Sequence, residues 1–355
     1  MGRAAPYRVF FSYYQALMET SKGGEARRRF RLPPIVQHIL KFALGSAAIW
    51  ALIHYDALDP SSVAKAFLTH PWFCVAAFCF YVVLVLLAGW GRWYLLMRNA
   101  GLRISPMRCL SLHMIGIFFN SLIPGNGGDL IKGYYLFQDH EEGEKALALT
   151  SIAMDRLVGT YGLLCMGMAM TWFNYRLWIH STPLRINSFF YAGVFLAFTV
   201  LIGLFLSPLS GRFLAHPALG RLPGGRFLTS LAQSLLVYRR RPRGLILVMG
   251  LGFAVDCGLI ILYYLSARAL DLGVPLLVHG FVVPTMTMVN GLPISPSGVG
   301  VGEAAGEMIY RNVGVTEGGS EILALVHICI LAASLLGAPF YLLFRAHSRS
   351  GEAPS

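Results

Sequence analysis

Asp129 and Lys132 stand three residues apart, directly after a proline- and glycine-rich break in a stretch that begins as apolar as lipid (FFNSLIPGNGGDLIKGYYL, 118–136). That spacing puts both charges on one helical face. Glu303, Glu307 and Arg311, spaced by four, form a stripe after a second such run, NGLPISPSGVGVGE (290–303). Asp155 and Arg156 are adjacent and Asp256 is isolated, each well inside a long apolar run. A carboxylate in such surroundings pairs with a cation or takes up a proton. A buried guanidinium or ammonium needs an anion, and Arg grips a phosphate through two parallel hydrogen bonds. The chemistry these residues suit is therefore the holding of an anionic group, with proton coupling, where water is scarce. Plainer roles stand beside it: Asp129 as an N-cap, Glu303 as a first-turn acid, Glu307–Arg311 as a structural pair, Asp256–Arg156 as a buried ion pair. Asn120 and Asn290 begin the two broken runs, where they line a cavity or cap the helices. His113, His279 and His327 lack metal spacing and receive no role. GNGGDLIK lacks the Walker spacing and GVGVGE is not flanked by a strand. No nucleophile–base set or metal triad is evident, so the expectation is a protein that is not an enzyme and has no cofactor or metal.

The elements that must position these residues are membrane helices. Mean hydropathy is +0.60, with 56% hydrophobic and only 13% charged residues. A soluble domain carries about a quarter charged residues. Apolar runs long enough to span a bilayer lie at about 38–55, 72–97, 146–173, 186–206, 244–267 and 321–344. Asp155–Arg156 and Asp256 then lie roughly 15 and 18 Å along their helices. The net charge of +12 is concentrated at span ends: Arg27, Arg28, Arg29 and Arg31 before the first, Arg92, Arg98, Arg103 and Arg108 following the second, seven Arg in the loop 207–243, Arg345 and Arg349 after the last. This is the positive-inside pattern, and it suits anionic lipid headgroups. No soluble basic module is present, so nucleic acid is not expected as a partner. The six cysteines form no CxxC motif and read as small buried hydrophobes. No signal peptide is expected, because no apolar core precedes Arg27.

Two apolar stretches, about 105–138 and 275–313, are broken by Pro and Gly in mid-course. Non-helical backbone at membrane depth is tolerated only within protein or beside a watery cavity. Each stretch is expected to dip in and return as a re-entrant hairpin, with a half-helix N-terminus at its tip. Such a terminus offers unpaired N–H groups to an anion, which marks Gly127, Gly128 and Gly300 as candidate binding positions. With both termini cytoplasmic, every large basic cluster then falls inside. The order span, span, hairpin, span occurs twice with opposite orientation. The expected fold is thus all-α and polytopic, with about six full spans, two oppositely oriented hairpins and an inverted repeat. Its parts are a cytoplasmic N-terminal segment 1–37, a membrane domain 38–344 (repeats about 38–173 and 186–344, basic cytoplasmic loop 207–243, in which TSLAQSLLVYRR reads as a surface helix) and a cytoplasmic tail 345–355.

At SLIPGNGGDLIKGYYL (121–136), DRLVG (155–159) and LPISPSGVGVGEAAG (292–306) the sequence resembles the lysylphosphatidylglycerol synthase transmembrane-region family, also described as flippase-like integral membrane proteins. Lys132 and Asp155 stand where the family often has Arg and Glu, with the sign of charge kept. The resemblance implies a lipid-translocating module of the cytoplasmic (inner) membrane. Some members carry a soluble aminoacyl-transferring domain; the sequence closes soon after the last span, so that activity is not expected here. Other members are linked to hopanoid lipids and polyprenyl-linked sugars.

The resulting expectation is a flippase for a phosphate-bearing lipid of phospholipid, polyprenyl-phosphate or hopanoid type, with membrane lipids of anionic headgroup as partners. Lys132, Arg156, Asn120, Asn290 and the tip glycines hold the headgroup, while Asp129, Asp155, Asp256, Glu303, Glu307 and Arg311 pair or carry protons. The alternatives are an integral-membrane lipid-modifying enzyme and a non-transporting partner of a lipid-synthesis enzyme.

Overall fold

The computed structural model describes residues 34–55, 57–123, 127–140, 144–207, 238 and 242–350. The N-terminal arginine cluster, the tip residues 124–126 and most of the basic loop, with its expected surface helix, lie outside them. Contacts divide the chain into Met1–Gln37 and His38–Ser355, and apart from the first turn of the first helix every described element belongs to the second unit.

All regular structure among the described residues is helical. Helix α1 (Pro34–His54) and the short α2 (Pro60–Thr69) precede α3 (Pro71–Ala100), which contains a π-helical stretch over Tyr81–Leu87. Then come α4 (Pro106–Leu122), α5 (Gly127–Asp139), α6 (Lys145–Phe173), α7 (Tyr175–Ile179) and α8 (Thr182–Leu206). The second half has α9 (Pro242–Ala269), α10 (Leu276–Asn290), a 3-10 turn at Pro296–Gly298, α11 (Val301–Asn312), α12 (Gly319–Ser334) and α13 (Gly337–Ser350). Several of these helices start on proline, whose missing N–H costs nothing at the first position. Side chains close some ends: Asp59 accepts the N–H groups of Ser61 and Ser62, and Ser105 accepts that of Arg108.

Among the described residues, four helices are long and apolar enough to cross a membrane: Pro71–Ala100, Thr182–Leu204, Gly244–Ala269 and Gly319–Phe344. The expected spans at 38–55 and 146–173 fall on α1 and α6, which are helical but not among the four. In α6 the apolar run is interrupted by Asp155 and Arg156. The expected last span is divided by a turn at Leu335–Leu336.

Each broken segment folds as an antiparallel helix pair. In the first, Arg108 near the start of α4 donates through Nε and Nη2 to both carboxylate oxygens of Asp139 at the end of α5, each at 2.7 Å. Near the other end, the Gly128 N–H donates to Asn120 Oδ1 at 2.8 Å. In the second, His279 Nδ1 lies 2.7 Å from the Tyr310 hydroxyl, joining the start of α10 to the end of α11. Asn290 at the close of α10 packs on Gly298 and Gly302. Two glycines make the reversals possible. A Cβ on Gly128 would lie 1.9 Å from the Gly116 carbonyl oxygen, and Gly300 has φ +86 with its Cβ position 2.3 Å from the Gly45 carbonyl oxygen. The two turns meet, for Ser297 Oγ donates to the Ser121 carbonyl oxygen at 3.4 Å.

Neighbours correspond between the halves. Helices α3 and α9 pack on one another; α4 packs on α12 and α13, as α10 packs on α6; α5 packs on α6, as α11 packs on α12. Each pair has its own core. Trp93, Leu96, Met97, Leu112 and Leu136 fill the one beside α4–α5; Leu262, Phe281, Met286, Tyr310 and Ile322 fill the one beside α10–α11. Large apolar side chains cover the outside, among them Trp72, Trp172, Phe189, Leu201 and Ile246. Of the cysteines expected to be buried, Cys79 and Cys257 are exposed. On a lipid-facing helix an apolar thiol is as well placed outside as inside.

Candidate functional site

The charged residues gather in two clusters, one behind each helix pair. At the first, α5 starts at Gly127, so Asp129 sits in its first turn rather than at the N-cap. Its carboxylate accepts a hydrogen bond from Arg156 Nε at 2.5 Å. Only Nε of Arg156 meets a hydrogen-bond acceptor among the described residues, and half of its side chain is exposed. One turn along α5, Lys132 is buried. Its Nζ lies 3.8 Å from the centroid of the Trp93 ring, and no hydrogen-bond acceptor meets it among the described residues. Trp93 is itself held by a bond from Nε1 to Ser151 Oγ at 3.1 Å. A desolvated cation over a Trp face is stabilised by about 2 kcal/mol. Asp155 accepts from Arg92 Nε of α3 at 2.8 Å, with both side chains nearly buried. Gly159 allows this approach, since a Cβ there would lie 2.9 Å from Arg92 Nη1.

At the second cluster, Glu303 is three residues into its helix and reaches back to accept the Gly300 N–H at 2.6 Å. Its other oxygen accepts from His327 Nδ1 of α12 at 2.8 Å. His327 Nε2 lies 3.3 Å from Asn290 Nδ2. With the amide donating to Nε2, the imidazole carries its proton on Nδ1 and donates it to Glu303. A turn further on, Glu307 accepts from Arg311 at 2.5 Å and from the Ser320 N–H at 3.1 Å, which makes that pair part of the α11–α12 packing.

Several expectations are corrected here. Arg156 pairs with Asp129, and Asp155 pairs instead with Arg92, which lies within α3. The Asp256–Arg156 pair does not form; Asp256 is buried, and its Oδ2 has no hydrogen-bond partner among the described residues. Asn120 caps α5. The N–H groups of Gly128 and Gly300, expected to face a headgroup, are already bound by Asn120 and Glu303, because a glycine tight enough to make the turn also brings a side-chain acceptor within reach. Gly127 packs on Ile123. His327, given no role, is a central partner. Arg92 and Trp93 were also missed. Arg92 reads as one more cytoplasmic arginine near Arg98, and only its apolar flanks (LLAGWGRWYLLM) set it apart. Two cavities, about 530 Å³ beside Arg98–Ser105 and about 450 Å³ beside Leu272–Glu317, lie at helix ends rather than at the tips.

An all-helical scaffold with several apolar spans, an apolar exterior and buried ion pairs defines a multi-pass membrane protein. Residues 38–337 match the family described as Lysylphosphatidylglycerol synthase TM region, and the chain belongs to that family. No curated protein matches it, and no solved structure does. The family places the chain in lipid metabolism at a membrane.

Proposed function

We propose that the chain moves a phosphate-bearing lipid between leaflets. The reading includes six crossings (α1, α3, α6, α8, α9 and α12–α13), α4–α5 and α10–α11 as opposed re-entrant hairpins, an inverted repeat, and an inner membrane with both termini cytoplasmic. The matching neighbours of the two halves favour this arrangement. Lipid tails are content in hydrocarbon, whereas a charged headgroup there is costly. A path lined with fixed charges removes much of that cost.

One observation carries the reading: Lys132 is a buried ammonium resting on a Trp face, with no hydrogen-bonded anion among the described residues, one turn from the Arg156–Asp129 pair. A buried cation of this kind is poised for an anion from outside. The free fork of Arg156 is the second ligand, and Arg gives a phosphate two parallel bonds where Lys gives a point charge.

The test is reconstitution of the purified protein in vesicles with labelled phospholipid, following loss of label from one leaflet. Wild type is expected to move lipid unaided. Arg156→Lys is expected to be strongly impaired and Arg156→Gln inactive, while both insert and purify. An Arg156→Gln protein that transports at the wild-type rate would remove the phosphate site. Lipid of changed mass would identify an enzyme instead, and movement only after adding a lipid-synthesis enzyme would identify an accessory partner.

A further inference from the structure

Around α6 three cations face three carboxylates. Asp129 is held by Arg156 and Asp155 by Arg92; Lys132 has its ring, and among the described residues Asp256 has no partner at Oδ2. Asp256 is 5% exposed. Its Oδ2 lies 3.2 Å from where a Cβ would sit on Gly162 of α6, so a glycine leaves the room it occupies. Arg92 of α3 is a charged side chain in its surroundings. Its Nη1 lies 3.8 Å from the Cβ position of Gly252, one turn before Asp256 on the same face of α9. The other titratable groups in its field are Cys165 of α6, Tyr191 of α8, whose hydroxyl donates to the Leu163 carbonyl at 2.8 Å, and the adjacent Cys257. The Arg92 guanidinium thus hydrogen-bonds Asp155 and reaches the face of α9 that carries Asp256.

Net charge in a low-dielectric interior is expensive. With all six groups ionised, the set is neutral. A phosphodiester arriving at Lys132 adds one negative charge, which one proton cancels. The carboxylate free to accept it is the one not already accepting from a cation. We propose that Asp256 is a proton site that fills when an anionic headgroup enters beside Lys132, so that headgroup and proton move together. The step forms one O–H bond on the Asp256 carboxylate and breaks one in a hydronium ion, which is left as water. The proposal rests on the headgroup reading of Lys132 and moves the coupling role away from Asp129 and Glu303, which are both held by partners.

The test uses the full chain in an uncharged detergent with short-chain phosphatidylglycerol, which carries net negative charge, and short-chain phosphatidylcholine, which carries a phosphate but no net charge. Infrared difference spectra report the carbonyl stretch of a protonated carboxyl group, and a pH-sensitive dye in weak buffer reports proton uptake. Phosphatidylglycerol is expected to raise the protonated-carboxyl band and to take up about one proton per bound lipid; phosphatidylcholine should do neither. Asp256→Asn, an isostere of the protonated acid, is expected to fold, to bind phosphatidylglycerol and to show neither signal. The proposal is overturned if the lipid does not bind, if it binds silently, if the band survives in Asp256→Asn, or if that variant does not fold, which would make Asp256 a fixed anion. A responsive band in a protein that moves no lipid in vesicles leaves the proton site standing and removes translocation. Lipid movement with a silent band does the reverse.

Discussion

Glu303 and His327 show how one contact settles two roles. The carboxylate closes the first turn of α11 and at the same time ties α11 to α12. Removing one member of a buried hydrogen-bonded pair leaves the other without a partner, which costs about 3 kcal/mol. His327→Ala is therefore expected to lower the unfolding midpoint of the detergent-solubilised protein markedly. Glu303→Gln, which keeps an acceptor for Gly300, should lower it less. Equal losses would mean that the negative charge, rather than the hydrogen bonds, holds the turn. The acids of both clusters were legible in the sequence because a charge in an apolar run stands out at once. Their partners were not. Whether Asp155 meets Arg92 or Arg156 depends on which helix packs on α6, and neighbours in sequence such as Asp155 and Arg156 point to different sides of one helix. His327, in the apolar run ILALVHICILAA, gave only the weak signal of a polar residue among many.

The elements owe their reversals to close backbone approach, and that is testable glycine by glycine. Gly128→Ala would drive a methyl group into the Gly116 carbonyl at the α4–α5 crossing. Backbone cannot give way as a flexible side chain can, so this variant is expected to yield little folded protein in the membrane fraction. Gly193→Ala, in α8 with nothing within 4 Å of its Cβ position, is expected to be neutral or to gain up to about 1 kcal/mol of helix propensity. Similar behaviour of the two variants would refute the packing argument. The breaks at 124–126 and 291–300 were readable in advance because Pro and Gly have fixed backbone consequences. The division between α12 and α13 was overlooked, although Gly337 and Pro339 announce it. The apolar run continues across the turn, and hydropathy alone does not register it. Gly337 is needed there, since a Cβ would sit 2.3 Å from the Met114 carbonyl oxygen.

At the scale of the whole molecule, the orientation in the membrane is open to a direct experiment. In a background without native cysteines, of which Cys79 and Cys257 are exposed, single cysteines should react with an impermeant thiol reagent from the outside at 56–70 and only from the cytoplasm at 207–243. Positions 98–103 and 140–144 should respond from the same side. Opposite sides would end the re-entrant reading of α4–α5 and the inverted repeat with it. The meeting of the tips has a further consequence. The hydrogen bond from Ser297 to Ser121 is worth about 1 kcal/mol net. Ser297 sits at φ +50 in the Pro296–Gly298 turn, and a left-handed backbone at a non-glycine residue costs about 1–2 kcal/mol. The two nearly cancel, and thermal energy is about 0.6 kcal/mol. The bond itself therefore adds little, and what keeps the tips together is the packing of the Pro296–Gly298 turn against α4.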